Sequence, residues 1–264
     1  MPDFPAFNRL RACKYGQMLY NVHDLYIGRS LDLYGEFSEG EVELFRQMTK
    51  PGHVVVEVGA NIGAHTIFLA RQAGPTGRVI AFEPQRVVFQ TLCANVALNS
   101  LSNVECLQQA VGDAPGTLRV PTLDYSQENN FGGLELGHFT EGESVPVATL
   151  DSLELPRLNV LKIDVEGMER AAIAGGTETL ERCRPILYVE NDRTDRSEEL
   201  IAFLNSLDYN LYWHLPPLFN PQNFAGNPVN VFGQIISRNM IGVHRSVPQK
   251  LDGFEAVKPP SAAQ

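Results

Sequence analysis

His53-Val54-Val55-Val56-Glu57-Val58-Gly59-Ala60-Asn61-Ile62-Gly63 reads as a buried strand running into a tight turn bounded by glycines. His53–Gly59 is rich in β-branched residues and stops at a glycine, as a strand covered on both faces does. From Ile62 to Ala73 the apolar residues Ile62, Ile67, Leu69 and Ala70 keep a helical spacing, closed by Gly74-Pro75. Working outward, Gly77–Glu83 (GRVIAFE) is a second strand. Pro84 suits a first helical turn, and Val87, Val88, Leu92 and Val96 carry that helix on. Asn103–Val111 (NVECLQQAV) is a third strand. Leu158–Val165 (LNVLKIDV) and Pro185–Glu190 (PILYVE) are two more, separated by a helix ending near Gly175-Gly176 or Cys183. This alternation predicts an α/β chain: a Rossmann-like, doubly wound, mostly parallel sheet with helices on both faces.

The flanks predict less regular structure. Leu25–Leu33 is expected to form a short hairpin or edge strand, and Ser38-Glu39-Gly40-Glu41 is a capping box opening a helix over Val42–Met48. Residues 1–52 are therefore expected to cap the substrate side, 53–247 to form the ligand-binding domain, and 248–264 to be a flexible tail. Two segments break the rhythm. Leu123–Gly142 (LDYSQENNFGGLELGHFTEG) is polar and too long for an ordinary connection. Leu215–Asn230 (LPPLFNPQNFAGNPVN) is too rich in proline for a helix or a central strand. Both are candidate lids, or plain surface irregularities.

Composition excludes several classes. The 264 residues carry 21 Lys and Arg against 31 Asp and Glu, a formal charge of −10. With no Lys/Arg run to meet phosphates, a nucleic-acid partner is not expected. No stretch reaches the ~20 apolar residues of a membrane span. The first residues lack the apolar core of a signal peptide, so a cytoplasmic location is expected. Cys13, Cys93, Cys106 and Cys183 show no CxxC spacing and are expected to be reduced.

In a doubly wound sheet, ligands bind beyond the strand ends at the switch point, beside the first strand-to-helix turn. A dinucleotide turn places glycine where this chain has Asn61, to admit a pyrophosphate. The spacing Gly59-x-x-x-Gly63, with acidic Glu57 just before it, suits a cationic ligand without phosphate; S-adenosylmethionine has both properties. Glu83 ends the second strand, where an acid roughly 20 residues on accepts hydrogen bonds from ribose hydroxyls. Ala110 and Asp113 close the third strand, where an adenine would lie. Lys162, Asp164 and Glu166 alternate along one strand face, and three charges there are costly unless paired or used.

The strings VVVEVGANIGAHT, VIAFEP, NVECLQQAVGD and ATLDSLELPRLNVLKIDVEGMERAAIAGG resemble the FkbM family of S-adenosylmethionine-dependent methyltransferases, from about Leu25 to Glu190. NVFGQIISRNMIGV resembles the ending of many members. The resemblance implies that Glu57, Gly59, Asn61 and Gly63 contact the methionine half of the cofactor, Glu83 holds the ribose and Ala110 borders the adenine. Lys162–Gly167 would face the reaction centre. It implies O-methylation of a small molecule, sugar, glycan or natural product, without naming the acceptor.

Asp164 is the expected base or acceptor-positioning group (and a cofactor neighbour), with Glu166 and Lys162 beside it. Asn130, Phe131, His138, Trp213, His214 and Asn223 are the expected acceptor-side residues, with Tyr212, Phe219 and Phe224 as further aromatic candidates. Asp164, Glu166 and Glu190 are oxygen donors of the kind Mg2+ takes. No spacing fixes that geometry, so Mg2+ is compatible without being predicted. A homodimer is left open. The competing readings are an NAD(P)-dependent oxidoreductase, against which Asn61 stands, and a non-catalytic nucleotide-binding protein, which need not keep three costly acids.

Overall fold

The computed structural model of the chain describes residues 6–247, 251 and 253–258. A hairpin of β1 (Asn8–Cys13) and β2 (Gly16–Asn21) is followed by α1 (Ile27–Tyr34) and α2 (Glu39–Met48). Then come β3 (Val54–Val58), α3 (Ala64–Ala73), β4 (Arg78–Phe82), α4 (Arg86–Leu98) and β5 (Val104–Leu107). A small excursion contributes β6 (Ala110–Val111), β7 (Gly116–Val120) and β8 (Glu143–Ala148). The chain returns with β9 (Val160–Ile163), α5 (Glu169–Ala174), α6 (Thr177–Cys183), β10 (Ile186–Glu190), α7 (Ser197–Ser206), β11 (Tyr209–His214) and β12 (Asn239–His244).

The main sheet has seven strands in the order β11-β12-β10-β9-β3-β4-β5. Its paired strands are parallel except that β12 runs antiparallel to both β10 and β11. Every residue of β3 is buried, and the two-residue period of a strand sends its valines to opposite layers. Val56 and Val58 join Ile80, Leu161 and Leu187 under α5, α6 and α7. Val55 joins Val79, Val160 and Ile241 under α2 and α3. Each such side chain contributes about 1.5–3 kcal/mol by leaving water. The sheet is thus doubly wound, with helices on both faces. After β3 the chain builds β4 and β5 on one side, and it then crosses to β9 and β10 on the other. The switch point falls between β3 and β9, and the strand ends there open into a crevice.

Several local expectations change. Leu25–Leu33 is largely helical, not a hairpin or edge strand: Ile27, Leu31 and Tyr34 share one helix face, and Gly35 closes α1 with φ 66°. The hairpin lies earlier, in β1 and β2. The third strand is split, because β5 ends at Leu107 and Ala110-Val111 pair instead with β8 in a separate three-stranded sheet. Ser38 does not cap a backbone N–H. It sits in the left-handed region at φ 45° and donates its hydroxyl to Glu41 Oε1 at 2.7 Å, which turns that carboxylate inward. α2 packs directly on the main sheet. In the tail expected to be flexible, the backbones of Glu255 and Val257 hydrogen-bond to Trp213 and Leu211 of β11, and Val257 is buried. The rest of that tail, 248–250, 252 and 259–264, lies outside the described residues. All four cysteines are free. Among the described residues no helix is long and apolar enough to cross a membrane.

The turn after β3 depends on Gly59. Its φ is +83°, and a Cβ there would lie 1.8 Å from the Asp164 carbonyl oxygen. Gly59→Ala is therefore expected to cost at least about 2–4 kcal/mol, strain and overpacking together. Gly116→Ala, at an open site with nothing within 4 Å, serves as the control. Urea denaturation of both variants checks this, and equal stabilities would contradict it.

Candidate functional site

The crevice is organised by one buried acid and one buried base. Glu83, just past β4, is 4% exposed. Its Oε2 accepts the Asn61 N–H at 3.0 Å and its Oε1 accepts the Gln85 N–H at 2.9 Å. One carboxyl group thereby ties the β3 turn to the end of β4. Asn61 holds φ 51°, a left-handed conformation that asparagine tolerates better than most residues. Burial pushes the Glu83 carboxyl up to about 7, against the two backbone donors that favour its ionised form.

Beneath the turn, Lys162 of β9 is 2% exposed and stands between two carboxylates. Its Nζ lies 3.2 Å from Asp164 Oδ2 and 3.6 Å from Glu57 Oε1. Thr66 of α3 donates to Glu57 Oε2 at 2.6 Å. Burial alone would lower the Lys162 ammonium; Asp164, Glu57 and Glu41 together outweigh it and hold the group charged above its ordinary range. Burial raises Glu57 and Glu41, partly offset by Lys162.

Two connected spaces lie above this floor. The smaller, about 460 Å³ with its open mouth, is walled by Val58, Phe82, Ala110, Leu134, Leu136 and Met168. It is mostly apolar, with Glu83 on its wall. The larger, about 1210 Å³ with its mouth, is walled by acids on one side and by Ile27, Phe37, Leu218, Ile235 and Ile236 on the other. Gly59, Glu83, Gly132, Asp164 and Glu166 border both spaces.

The first irregular segment forms a roof. Gln85 Nε2 donates to Phe131 O at 2.7 Å. Glu135 bridges Arg196 at 2.9 Å and Arg193 at 3.4 Å, while Leu134 and Leu136 on either side of it line the apolar space. The second segment is a strap over α1. Phe219 and Phe232 pack on Tyr34, and the Glu36 carboxylate accepts from Asn220 Nδ2 and the Phe224 N–H.

Glu57, Gly59, Asn61, Glu83, Ala110, Lys162, Asp164, Glu166 and Asn130 all border one of the two spaces. Glu57 and Lys162 do so as a paired floor, so Lys162 holds its neighbours rather than presenting a free amine. Gly63 starts α3 at φ 86° with Leu92 against it, off the cavity wall. Phe131 is buried and stacked on Tyr125, behind the roof. The remaining acceptor-side expectations need correction. His138 is exposed beside Phe139. Trp213 lies under Arg238, 4.6 Å away. His214 binds the Tyr188 hydroxyl at 2.9 Å, and burial lowers its imidazole to about 4. Asn223 holds the strap's own turn through Asn220 O and Asn227 O. Phe224 lies over Gly35 and Asp113 is exposed, so neither reaches the cleft.

Other residues at the site escaped the sequence reading. Glu41 arrives from α2, hidden because its capping-box spacing already explained it. His65, 5% exposed, borders the larger space between Phe37 and Phe45, and burial lowers its pKa strongly. Arg193 binds Glu166 Oε2 at 2.8 Å; nothing local in its sequence marked it. Burial still raises the Glu166 carboxyl to about 7 despite that arginine.

Residues 57–211, more than half of the chain, match the family described as the methyltransferase FkbM domain. Methyltransferase sdnD of Sordaria araneosa is 30% identical over 158 residues, 47% of this chain and 60% of that protein. Hexuronic acid methyltransferase AglP of Haloferax volcanii is 29% identical over 59% of this chain and 62% of that one. The 31-O-demethyl-FK506 methyltransferase FkbM of Streptomyces tacrolimicus is 28% identical over 73% of this chain and 83% of its own length. The matched region thus spans less than two thirds of the first two of these relatives.

The Glu83 environment gives stability a sign with pH. An unfolded glutamate releases its proton near 4.5, whereas folded Glu83 keeps it to about 7. Between these values the folded state binds more protons, so this group's contribution to stability falls as pH rises. Glu83→Gln carries no such titration. From pH 4.5 to 7.5 the unliganded variant should gain on the wild type by up to about 3 kcal/mol in urea denaturation. A flat difference, or one of opposite slope, would refute this environment.

Proposed function

The chain belongs to the methyltransferase FkbM domain family, and from that premise we propose that it is an S-adenosylmethionine-dependent methyltransferase acting on a hydroxyl group. The observation that carries this reading is the shared wall of the two spaces. Glu83 and Asp164 border both the apolar space and the larger polar one, so a ligand filling the first ends beside Asp164. Glu83 is the residue to hold the ribose hydroxyls, with Ala110, Leu134 and Leu136 enclosing the adenine. Gly59, Ala60 and Asn61 border the methionine half. When bound, this cofactor supplies a sulfonium methyl group whose bond to sulfur breaks, its electron pair returning to sulfur, as the acceptor oxygen bonds to the methyl carbon.

The chain's own contribution is positioning and proton handling. Lys162 engages Asp164 Oδ2, leaving Oδ1 to accept the hydroxyl proton of the acceptor. Glu57, itself held by the Thr66 hydroxyl, fixes the ammonium of Lys162 from below, so Asp164 keeps one orientation. The segment carrying Gly132 and Leu134 walls one part of the cleft.

The acceptor side favours a neutral or cationic molecule. Glu41, Glu57, Asp164, Glu166, Glu190 and Asp192 border the larger space, against Lys162 and Arg238. A free hexuronate, the acceptor type in the name of the Haloferax relative, meets an unfavourable field there as long as no cation occupies the space. A hydroxylated, partly apolar molecule suits the Ile235-Ile236-Leu218 wall.

Incubation with methyl-labelled cofactor and a panel of neutral, cationic and carboxylated alcohols tests this. Label should enter a neutral or cationic alcohol and not its carboxylated counterpart. Asp164→Asn should slow that turnover by about 10²-fold or more while cofactor affinity stays within a few-fold. Transfer to carboxylates alone, or an undiminished Asn variant, would overturn the assignment.

A further inference from the structure

At the far end of the larger space three carboxylates converge from two strand ends. Glu166 lies just past β9, and Glu190 and Asp192 lie at the end of β10. One oxygen from each falls within 4.8 Å of the others. Arg193 Nη2 stands 2.8 Å from Glu166, and its Nε 3.6 Å from Asp192. The Arg193 guanidinium thus contacts Glu166 and Asp192, is shared with Glu135 at 3.4 Å, and does not reach Glu190.

Glu190 is the member of the trio that Arg193 leaves untouched. Its Oε2 is sealed from solvent and accepts no hydrogen bond among the described residues. A second, independent sign stands across the β10–β12 ladder, where Asn239 is the strand partner of Glu190. Asn239 is 4% exposed and borders the same space, and its Nδ2 has no partner among the described residues. A buried acceptor and a buried donor stand side by side without bonding each other. Buried polar groups are nearly always paired with protein or ordered water, so these two adjacent atoms, bordering the same space, leave room for a shared further partner.

One kind of ligand answers both. A cation takes the unpaired carboxylate oxygen, and an oxygen carried on that cation accepts from Asn239 Nδ2. The donor set contains only oxygen and no cysteine or histidine, which selects hard ions of the Mg2+, Mn2+ and Ca2+ type over zinc. Three convergent carboxyl groups, offering at least three oxygen ligands, match a divalent ion better than a single ammonium.

We propose that Glu166, Glu190 and Asp192 form a divalent-cation site on the acceptor side of the cleft. The site lies close to Asp164, since Glu166 and Asp164 border the same two spaces. Its role, holding an acceptor oxygen as a further ligand, rests on the methyl-transfer reading above; the binding of the ion does not.

The test is Mn2+ titration of the full chain, followed by electron paramagnetic resonance of the free ion, with and without S-adenosylhomocysteine. One saturable site is expected in the wild type. Glu190→Gln and Asp192→Asn should each weaken it by about tenfold or more, with circular dichroism confirming that both fold. Non-saturating Mn2+ uptake, as an acidic surface gives, would overturn the proposal. So would an unchanged affinity in both variants; the charge would then be matched by an ammonium on the acceptor. Calorimetry with S-adenosylhomocysteine on the same samples separates the two claims. Cofactor-product binding without Mn2+ binding sinks the cation site alone, and Mn2+ binding without cofactor-product binding sinks the methyl-transfer reading.

Discussion

The closeness of two strand ends governs this molecule. β3 and β9 are neighbours, and beyond their last paired residues the backbone at Gly59 comes so near the Asp164 carbonyl that no side chain fits between them. Directly below, Lys162 is clasped by Glu57 from one strand and Asp164 from the other. A buried ion pair of this kind is weak evidence for stability, because removing charges from water costs much of what their attraction returns. Its value is geometric. It sets Asp164 at a fixed place on the rim, next to a turn whose backbone is in turn fixed by Glu83. The catalytic proposal, the cofactor proposal and the cation proposal all inherit that geometry.

The same reasoning explains what was legible in the residues alone. β3, β4 and β9 are buried on both faces, and continuous apolar runs announce such strands without help from the rest of the chain. The order of glycine turn, strand-end acid and third strand end points to a crevice at the switch point, because the topology of a doubly wound sheet leaves one such point. The helix α1 is hard to read in the sequence because its buried face is completed by the strap, whose contacts with Tyr34 lie 195 and 197 residues further along the chain. The third strand was read as one because Gln108 and Gln109 carry no break signal; only the pairing of Ala110 with β8 divides it.

The acceptor side was least legible. Trp213 and His214 were reasonable candidates by residue type, yet they lie on an edge strand whose partners draw them into packing: Arg238 over the indole, the Tyr188 hydroxyl against the imidazole. Conversely Ile235, Ile236 and Asn239 look unremarkable in sequence and reach the cleft because the strap returns there. Side chains brought together by long connections leave no periodic trace. The acids fared better, because a carboxylate at the end of an apolar strand is conspicuous wherever it falls.

Every role proposed at the cleft requires Glu83 and the apolar space beside it to receive an adenosine compound without phosphate. Calorimetric titration of S-adenosylhomocysteine and of NAD into the wild type and Glu83→Ala asks this directly. One saturable site for S-adenosylhomocysteine, weakened by about tenfold or more in the variant and matched by no heat from NAD, is the predicted result. Equal binding by the variant, or preference for NAD, would contradict it.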